Sequence, residues 1–277
     1  MISVLMGVMC SKEKIERMEN AICSVLNQTY QEFELLICDN GSCEEVRALL
    51  DLYEASDCRI HLIRPLNADT LQKKLNACLS AAKGEFIARM DDDDFSHRTR
   101  FEEQFLFLIQ HPKIDFVGCN IMQVDEKGHA GIRTLPMYPV IADFRFVLPY
   151  IHSALLFRRN AIISVGGYSE SKWQEACDDY DLLMKMYEQG HYGANIQKVL
   201  LDYSIINSQK HRRPYRYRLN EAVTRYIHFR SLKKLTVWWP YIIKPLIVGL
   251  LPVPILYRMR NIRYRRLEKS SSPKTEK

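Results

Sequence analysis

Four consecutive aspartates, Asp91–Asp94, are the residues whose type and spacing most directly suggest chemistry. They follow Phe86–Ala88, an apolar segment typical of a buried strand, so four carboxylates would be crowded at a strand end. Their mutual repulsion is unfavourable unless a cation offsets it, and divalent metal ions prefer carboxylate oxygens. The pattern predicts a metal site, and the alternative is a solvated acidic turn or a cap of the following helix.

A second candidate is the turn Asp39-Asn40-Gly41-Ser42, which follows the apolar segment Phe33–Cys38. Its Asn-Gly pair suits the left-handed backbone of a tight turn, which leaves the Asp39 carboxylate able to accept hydrogen bonds. The base or ribose of a nucleotide has suitable donor groups. Taken alone, a turn of this composition is equally consistent with a purely structural role.

The elements that must position these residues follow from the spacing of apolar side chains. Strands are predicted at Ile2–Met9, Phe33–Cys38, Ile60–Ile63 and Glu85–Met90, and helices at Glu13–Leu26, Glu44–Tyr53 and Thr70–Ala82. This alternation predicts an α/β fold with a parallel, doubly wound sheet. Ligands of such sheets bind at the carboxyl ends of the strands, where both acidic segments fall. Further along, the pattern predicts a helix at Arg100–Gln110, a strand at Phe116–Gln123 and a helix at Asp179–Gln189.

Composition bounds the fold and the compartment. The 277 residues are 47% hydrophobic and 26% charged, which suffices for one large domain or two small ones. Met1–Cys10 is apolar but short and has no preceding basic run, so it is interpreted as a strand and not as a signal peptide. The eight cysteines are scattered singly without a C-x-x-C pair, which favours reduced, cytosolic thiols over a structural zinc site.

The net charge of +6 is unevenly distributed. From Lys210 onward there are 18 Lys and Arg against three Asp and Glu, a net charge of +15, whereas the preceding part has 21 against 30, a net charge of −9. Within this basic part, Leu235–Tyr257 is strongly apolar, but its longest uncharged run has 13 residues, too few to span a bilayer. We expect it to lie in the headgroup region of an anionic membrane, and the alternative is a buried C-terminal helical hairpin. Arg212–Lys234 mixes basic and aromatic residues in a helical register, and nucleic acid is an unlikely partner for it.

Taken together, several segments resemble family 2 of the inverting nucleotide-sugar glycosyltransferases, over most of the first 205 residues. The similar segments are Ile2–Met6, Ser24–Tyr30, Phe33–Ser42, Gly84–Asp94, Arg100–Leu108, His152–Arg159, Gly166–Tyr168 and Asp178–Leu182. The resemblance implies a single GT-A domain, with a mixed, mainly parallel sheet flanked by helices and a basic, apolar, helical tail. We expect the domain to span residues 1–230, with a nucleotide-binding half at 1–95 and an acceptor half at 96–230, and the tail to span 231–277.

The resemblance also assigns roles to particular residues. It places Asp39 at the donor's base or ribose, Asp91 at the ribose or in the metal shell, and Asp93 on a Mn²⁺ or Mg²⁺ ion that bridges the two phosphates. Asp179 would be the general base, and the alternative for Asp178–Asp181 is an N-terminal helix cap. The other residues expected to contact the nucleotide-sugar donor are Val8, Met9, Arg89 and Asp92.

Departures from the family pattern refine these expectations. Gly7-Val8-Met9-Cys10 replaces the usual Pro-Val-Tyr-Asn, so the aromatic that commonly packs on the base is missing and this segment does not identify the nucleobase. The family resemblance implies a UDP-sugar as the expected donor. Asp178 replaces the usual Glu of the base motif. Tyr203-Ser204-Ile205-Ile206 replaces Tyr-Arg-x-His, so a third metal ligand is lost or is supplied by His211. The chain has no Gln-x-x-Arg-Trp segment, which favours a non-processive enzyme.

The expected activity is therefore metal-dependent, inverting transfer of a hexosyl or N-acetylhexosaminyl group to a lipid-linked or other glycan acceptor in cell-surface polysaccharide or lipopolysaccharide biosynthesis. The expected location is the cytoplasm, with peripheral association at the inner membrane. One alternative is a catalytically inactive GT-A module that binds an anionic glycan or membrane. A nucleotidyltransferase is disfavoured because no Gly-rich basic loop precedes Asp39.

Overall fold

One mixed sheet of nine strands organises the described part of the protein, which in this computed structural model comprises residues 1–126, 128–205 and 214–251. The strands are β1 (Ile2–Val8), β2 (Phe33–Asp39), β3 (Ile60–Ile63), β4 (Phe86–Met90), β5 (Phe95–Ser96), β6 (Phe116–Asp125), β7 (Gly128–Arg133), β8 (Leu156–Arg158) and β9 (Gly193–Ser204). Their order is β3-β2-β1-β4-β8-β6-β9-β5, with β7 paired to β6.

The sheet has a parallel half and a mixed half. β1 pairs in parallel with both β2 and β4, and β2 pairs in parallel with β3. β8 is antiparallel to β4 and to β6, and β6 is parallel to β9. The parallel unit predicted for the first 90 residues is therefore confirmed, and the mixed sheet implied by the family resemblance is confirmed as well.

Helices cover both faces of this sheet. They are α1 (Ile15–Leu26), α2 (Glu44–Ser56), α3 (Leu71–Ala81), α4 (Arg100–Gln110), α5 (Arg159–Ser164), α6 (Asp178–Glu188), α7 (Tyr215–Ser231) and α8 (Leu235–Leu250). Alternate residues of β1 point to opposite cores: Val4 packs with Met18 of α1 and Phe101 of α4, whereas Leu5 packs in the cluster of Leu75 of α3. Burial on both faces explains why the strands of the parallel half are nearly continuous apolar runs.

At the C-terminal end of the described chain, α7 and α8 form a helical pair, and Trp238 of α8 packs edge-on against Phe229 of α7 with ring centroids 5.1 Å apart. Pro240 and Pro245 lie inside α8 and do not end it. No helix within residues 1–126, 128–205 and 214–251 is long and apolar enough to cross a bilayer. The helical hairpin that was the alternative interpretation of the tail is thus formed up to Leu250, and the segment from Pro252 onward lies outside the described residues.

Candidate active site

Asp39, the last residue of β2, has a buried carboxylate with hydrogen-bonding capacity to spare. Neither of its oxygens has a hydrogen-bond partner among the residues that the structure describes. The Nε atoms of Arg47 and Arg64 each lie 3.7 Å from Oδ2, so the charge is compensated only at long range. A buried carboxylate without hydrogen bonds is unfavourable. Asp39 can therefore accept hydrogen bonds from the N–H or O–H groups of a ligand.

Lys74 of α3 fixes the backbone around Asp39. Its buried ammonium donates hydrogen bonds to the carbonyl oxygens of Val8, at 2.6 Å, and of Asn40, at 2.7 Å. Burial lowers the pKa of Lys74, against the opposing effect of nearby acidic groups. Gly41 has a φ of +98°, which confirms the left-handed turn predicted after β2. The carboxyl ends of β1 and β2 are thus tied together before any ligand binds.

The aspartates after β4 differ in their surroundings. Asp91 is half-buried and accepts a charged hydrogen bond from Arg89, whose guanidinium is buried in the protein. Burial and the charges of Asp93 and Asp91 raise the pKa of Asp92 to about 6. Burial and Asp91 also raise the pKa of Asp93. The electrostatic crowding expected from the sequence is present, and a cation would relieve it.

Asp94 has a positioning role and does not cap α4, because Thr99 precedes that helix. Its buried carboxylate accepts a hydrogen bond from the hydroxyl of Ser153 and another, of 2.8 Å, from the backbone N–H of Ser204. It therefore joins the aspartate segment to the loop before β8 and to the end of β9. Burial and the charges of Asp91 and Asp93 raise its pKa well above the ordinary value.

The described residues alone do not complete a metal site, so a metal ion would need further ligand atoms from a bound molecule. Among the described residues, no group of three or more His, Cys, Asp and Glu side chains is arranged to hold a metal ion. His211, the predicted third ligand, lies outside the described residues. Asp91 and Asp93 are half-buried oxygen donors with unfavourable mutual repulsion, so they suit a divalent cation whose remaining ligands come from a bound diphosphate and water.

A cavity of about 300 Å³ lies between the aspartate segment and the start of α6. It is lined by Arg89 and Asp91 on one side and by Asp178 and Asp179 on another. Asp39 does not line it. Because β1 separates β2 from β4, the ends of these two strands are two strand spacings apart, about 10 Å. A nucleotide could bridge that distance and present its diphosphate at the cavity.

Asp178 and Asp179 are the first two residues of α6. Burial and the charge of Asp179 raise the pKa of Asp178 to about 7. Asp179 is less buried, and one of its oxygens accepts a hydrogen bond of 2.7 Å from the N–H of Tyr180. Both residues lie in the first turn of α6 and line the cavity, whereas Cys177 is the N-cap residue and makes no side-chain capping hydrogen bond.

Two residues of the cavity had no role assigned from the sequence. His152 is hydrogen-bonded through Nε2 to the hydroxyl of Tyr168 at 2.9 Å, and burial lowers its pKa well below the ordinary value. Tyr203 lines the cavity from β9. Sequence patterns did not predict β9, but Tyr203 begins the segment that replaces the family's Tyr-Arg-x-His, so the resemblance associated this part of the chain with a possible metal ligand.

The remaining predicted donor residues take different positions. Val8 is buried and contributes only its backbone carbonyl, which Lys74 binds. Met9 is 65% exposed directly after β1, and its side chain lies 3.5 Å from the position that a Cβ on Gly41 would occupy. Met9 thus borders the turn that contains Asp39.

Comparison with known proteins gives a consistent result. The sequence model of glycosyl transferase family 2 matches residues 8–168. The chain is 33% identical over 260 residues to the putative glycosyltransferase EpsE of Bacillus subtilis, covering 93% of this chain and 92% of that one. It is also 33% identical over 214 residues to the O-antigen biosynthesis glycosyltransferase WbnJ of Escherichia coli, covering 75% and 80%, and 31% identical over 205 residues to the amylovoran biosynthesis glycosyltransferase AmsE of Erwinia amylovora, covering 73% and 75%.

Solved structures share the fold. S. aureus TarS 1-349 in complex with UDP superposes with a TM-score of 0.63 at 16% identity, covering 88% of this chain and 72% of that one. The mannosyltransferase PcManGT from Pyrobaculum calidifontis, in complex with GDP-Man and Mn²⁺, gives 0.57 at 15% identity, covering 96% and 82%.

Proposed function

This chain belongs to glycosyl transferase family 2, and on that premise we propose that it transfers a sugar from a nucleotide-diphosphate donor to an acceptor hydroxyl, with inversion at the anomeric carbon. The observation that carries the proposal is the cavity of about 300 Å³ that Asp91 lines together with Asp178 and Asp179. This shared lining supports a sugar that binds between a donor-side carboxylate and the carboxylate pair at the start of α6.

The donor binds with its nucleoside toward Asp39 and its diphosphate toward Asp91–Asp93. The buried carboxylate of Asp39 supports this orientation because it has no hydrogen-bond partner among the described residues and can accept hydrogen bonds from a base or ribose. A UDP-sugar is our preferred donor, carrying a hexosyl or N-acetylhexosaminyl group. The imide N–H of uracil can donate a hydrogen bond to the carboxylate of Asp39, which accepts no hydrogen bond from the described residues.

A divalent ion, Mn²⁺ or Mg²⁺, would be held by Asp93 with Asp91 and by the donor's phosphate oxygens. When bound, it supplies positive charge to the departing nucleoside diphosphate. The raised pKa of Asp93 supports this site, because a cation lowers the free energy of the crowded, ionised carboxylates. Arg89 orients Asp91 through their ion pair.

Asp179 is the general base of the proposed reaction. It takes the proton of the acceptor hydroxyl as that oxygen attacks the anomeric carbon from the face opposite the leaving group. Burial and the charge of Asp179 raise the pKa of Asp178 to about 7, so Asp178 is the less suitable of the two as an ionised base. His152 and Tyr203, which line the same cavity, are placed to contact the sugar or the acceptor.

The acceptor we propose is a lipid-linked or membrane-proximal glycan of a cell-surface polysaccharide or lipopolysaccharide, extended by one sugar per encounter. The O-antigen and amylovoran assignments of two relatives support this class of acceptor. Such acceptors would be met by a peripheral enzyme at the cytoplasmic face of the inner membrane.

Titration calorimetry tests the donor and metal assignments. The purified full chain is titrated with UDP-, GDP-, CDP- and dTDP-sugars, first with Mn²⁺ and then with EDTA. We expect metal-dependent binding of one donor. Asp93→Asn is expected to abolish that dependence, because it removes a charged metal ligand, whereas Asp179→Asn is expected to leave donor binding nearly intact and to remove turnover.

The two variants test the general base and the metal site separately. Near-normal turnover in Asp179→Asn would contradict its role as base, and unchanged metal dependence in Asp93→Asn would contradict the metal assignment. Binding of no nucleotide-sugar under any condition would contradict the transferase proposal as a whole. Glu85→Gln, a substitution of an exposed carboxylate directly before β4 and therefore at the opposite end of that strand from Asp91, is the control and is expected to change neither property.

A further inference from the structure

Helix α8 is apolar on two different sides, and within residues 1–126, 128–205 and 214–251 only one of them is covered by other parts of the protein. Its inner side carries Trp238, Tyr241, Pro245 and Gly249. Trp238 packs on Phe229, and Tyr241 packs edge-on against Phe146 at 5.2 Å. Gly249 fits against α7, because a Cβ there would lie 2.9 Å from the ring of Tyr215. These contacts fix the rotation of the helix about its axis.

The other side of α8 is exposed in the part of the chain that the structure describes. Trp239, Ile243, Ile247 and Leu250, hereafter the outer stripe, recur at helical spacing and therefore lie along one side of the helix. Their exposed fractions are 55%, 40%, 57% and 70%. An exposed patch of large apolar side chains on a helix marks a surface that a membrane or another molecule covers.

The charges around the outer stripe identify what covers it. Lys233 and Lys234 are exposed directly before α8, and the helix itself has no acidic residue. After Leu251 the sequence continues for 26 residues, which contain eight Lys and Arg and two Glu. Positive charge therefore adjoins both ends of an apolar side that carries a tryptophan. Apolar anchors beside basic residues are the combination that binds anionic lipid.

Two other arrangements fit the structure less well. In a two-fold pairing of copies through the outer stripe, positive ends would lie against positive ends, which is unfavourable. A transmembrane orientation is not supported by the described part of α8, because its 16 residues extend about 24 Å, less than the ~30 Å hydrocarbon core. In addition, the inner side of α8 packs on Phe146 and Phe229, so it does not face lipid as one side of a spanning helix would.

We propose that the outer stripe of α8 docks the protein on the surface of an anionic phospholipid bilayer, with the helix axis parallel to that surface. Trp239, Ile243, Ile247 and Leu250 enter the boundary between headgroups and acyl chains. Lys233, Lys234 and the basic residues after Leu251 neutralise the lipid phosphates.

This docking places the candidate active site close to the bilayer. The ammonium of Lys244, on α8, donates a hydrogen bond of 2.7 Å to the carbonyl oxygen of Phe146. The next two residues, Val147 and Leu148, line the cavity that contains Asp91 and Asp179. One short segment thus separates the docking helix from the cavity. Resting on the proposed function, we infer that the acceptor is anchored in the same bilayer and reaches the cavity past this segment.

Vesicle co-sedimentation of the full chain tests the docking surface. The vesicles contain phosphatidylcholine alone or with about one third phosphatidylglycerol. We expect the wild-type chain to sediment with the anionic vesicles and the double variant Trp239→Glu/Ile247→Glu to bind at least about tenfold more weakly, because two carboxylates would enter the lipid boundary. The matched control is Leu52→Glu/Ile109→Glu, which alters side chains that are 68% and 53% exposed on α2 and α4, and it is expected to bind as the wild type does.

Several results would overturn the proposal. Equal sedimentation of the wild type and the stripe variant is one, and equal binding of neutral and anionic vesicles is another. A wild-type dimer in light scattering that the stripe variant abolishes would assign the surface to a second copy of the chain. Far-ultraviolet circular dichroism and donor calorimetry are run on every variant. Lost vesicle binding with retained donor binding supports docking, whereas retained vesicle binding without donor binding would contradict the proposed function alone.

Discussion

At the scale of single residues, Asp39 shows how a binding site differs from a stabilising contact. Its carboxylate is buried without hydrogen bonds, so in the free protein it contributes unfavourably to folding. Asp94, also buried, has both oxygens hydrogen-bonded and serves to hold the surrounding segments. The same residue type is thus prepared for a ligand in one place and satisfied by the protein in the other.

Asp39→Asn tests this distinction. We expect donor affinity to fall by about 1.5–3 kcal/mol, because a charged hydrogen-bond acceptor is lost, while the free energy of unfolding of the ligand-free protein stays constant or rises. Calorimetry with the donor and urea denaturation without it measure the two quantities. Equal donor affinity in variant and wild type would contradict the assignment, as would a loss of folding stability as large as the loss of affinity.

Sequence motifs identified the acidic residues because the members of each pair are close together in the chain and belong to the same element. Asp91 and Asp93 adjoin a single strand, and Asp178 and Asp179 begin a single helix. Tyr203 was noted only as the first residue of the segment that replaces the family's Tyr-Arg-x-His. It reaches the cavity because β9 pairs with β6, a strand that begins about 80 residues earlier in the chain, so its position in the cavity depends on the tertiary fold.

At the scale of elements, α6 and α7 are joined by a buried charged group. His228 of α7 has both ring nitrogens beside carboxylate oxygens: Nε2 lies 3.0 Å from Asp181 and Nδ1 lies 2.8 Å from Glu188. Only the imidazolium has two N–H donors, so this geometry favours the protonated ring. Burial opposes the charge, but the hydrogen bonds with Asp181 and Glu188 prevail and raise the pKa of His228 above 6.5.

This pair of contacts makes folding stability depend on pH. A group whose pKa is raised in the folded state stabilises fully below its unfolded pKa, about 6.5, and loses that contribution as the pH rises through the folded value. The advantage of the wild type over His228→Gln in unfolding free energy is therefore expected to be larger at pH 6 than at pH 9, by about 1.4 kcal/mol per unit of raised pKa.

Urea denaturation at the two pH values measures this difference. His129→Gln, a substitution of an exposed histidine on β7, is the control and is expected to show no pH-dependent difference. A wild-type advantage over His228→Gln that is constant from pH 6 to pH 9 would show that the ring is neutral in the folded protein.

The predicted strands and helices agree with the structure to within about three residues, because each is a local run with its own periodicity. Several further elements, among them β5, β7, β8 and β9, were not predicted. β5 has two residues and β8 has three, and both exist only through antiparallel pairing with distant strands. Such short elements have no periodicity of their own to detect.

At the scale of the whole molecule, the separation of charge matches the separation of roles. The net negative part contains the carboxylates of the candidate active site, and the net positive part contains α8 and everything after it. An anionic surface would attract one end of the protein and repel the other. The orientation of the enzyme on a membrane would then be set by its charge distribution before any apolar contact forms.

The basic residues after Leu251 are expected to contribute to vesicle binding additively. The triple variant Arg263→Gln/Arg265→Gln/Arg266→Gln should weaken binding to anionic vesicles by about 1 kcal/mol per charge, and less at high salt. Co-sedimentation at two ionic strengths measures this. Lys113→Gln, in the body of the protein, is the control. Equal losses per charge from the body and the tail would show that net charge alone governs binding.

The two hydrogen bonds of Asp94 have a consequence for the order in which substrates bind. They connect the aspartate segment, where we propose that the donor's diphosphate binds, to Ser153 and Ser204, which are the chain neighbours of His152 and Tyr203 in the cavity wall. A donor that fixes the conformation of the aspartate segment thereby also fixes the position of two walls of the acceptor cavity. Steady-state kinetics should accordingly follow a compulsory order, with the nucleotide-sugar entering first and the nucleoside diphosphate leaving last.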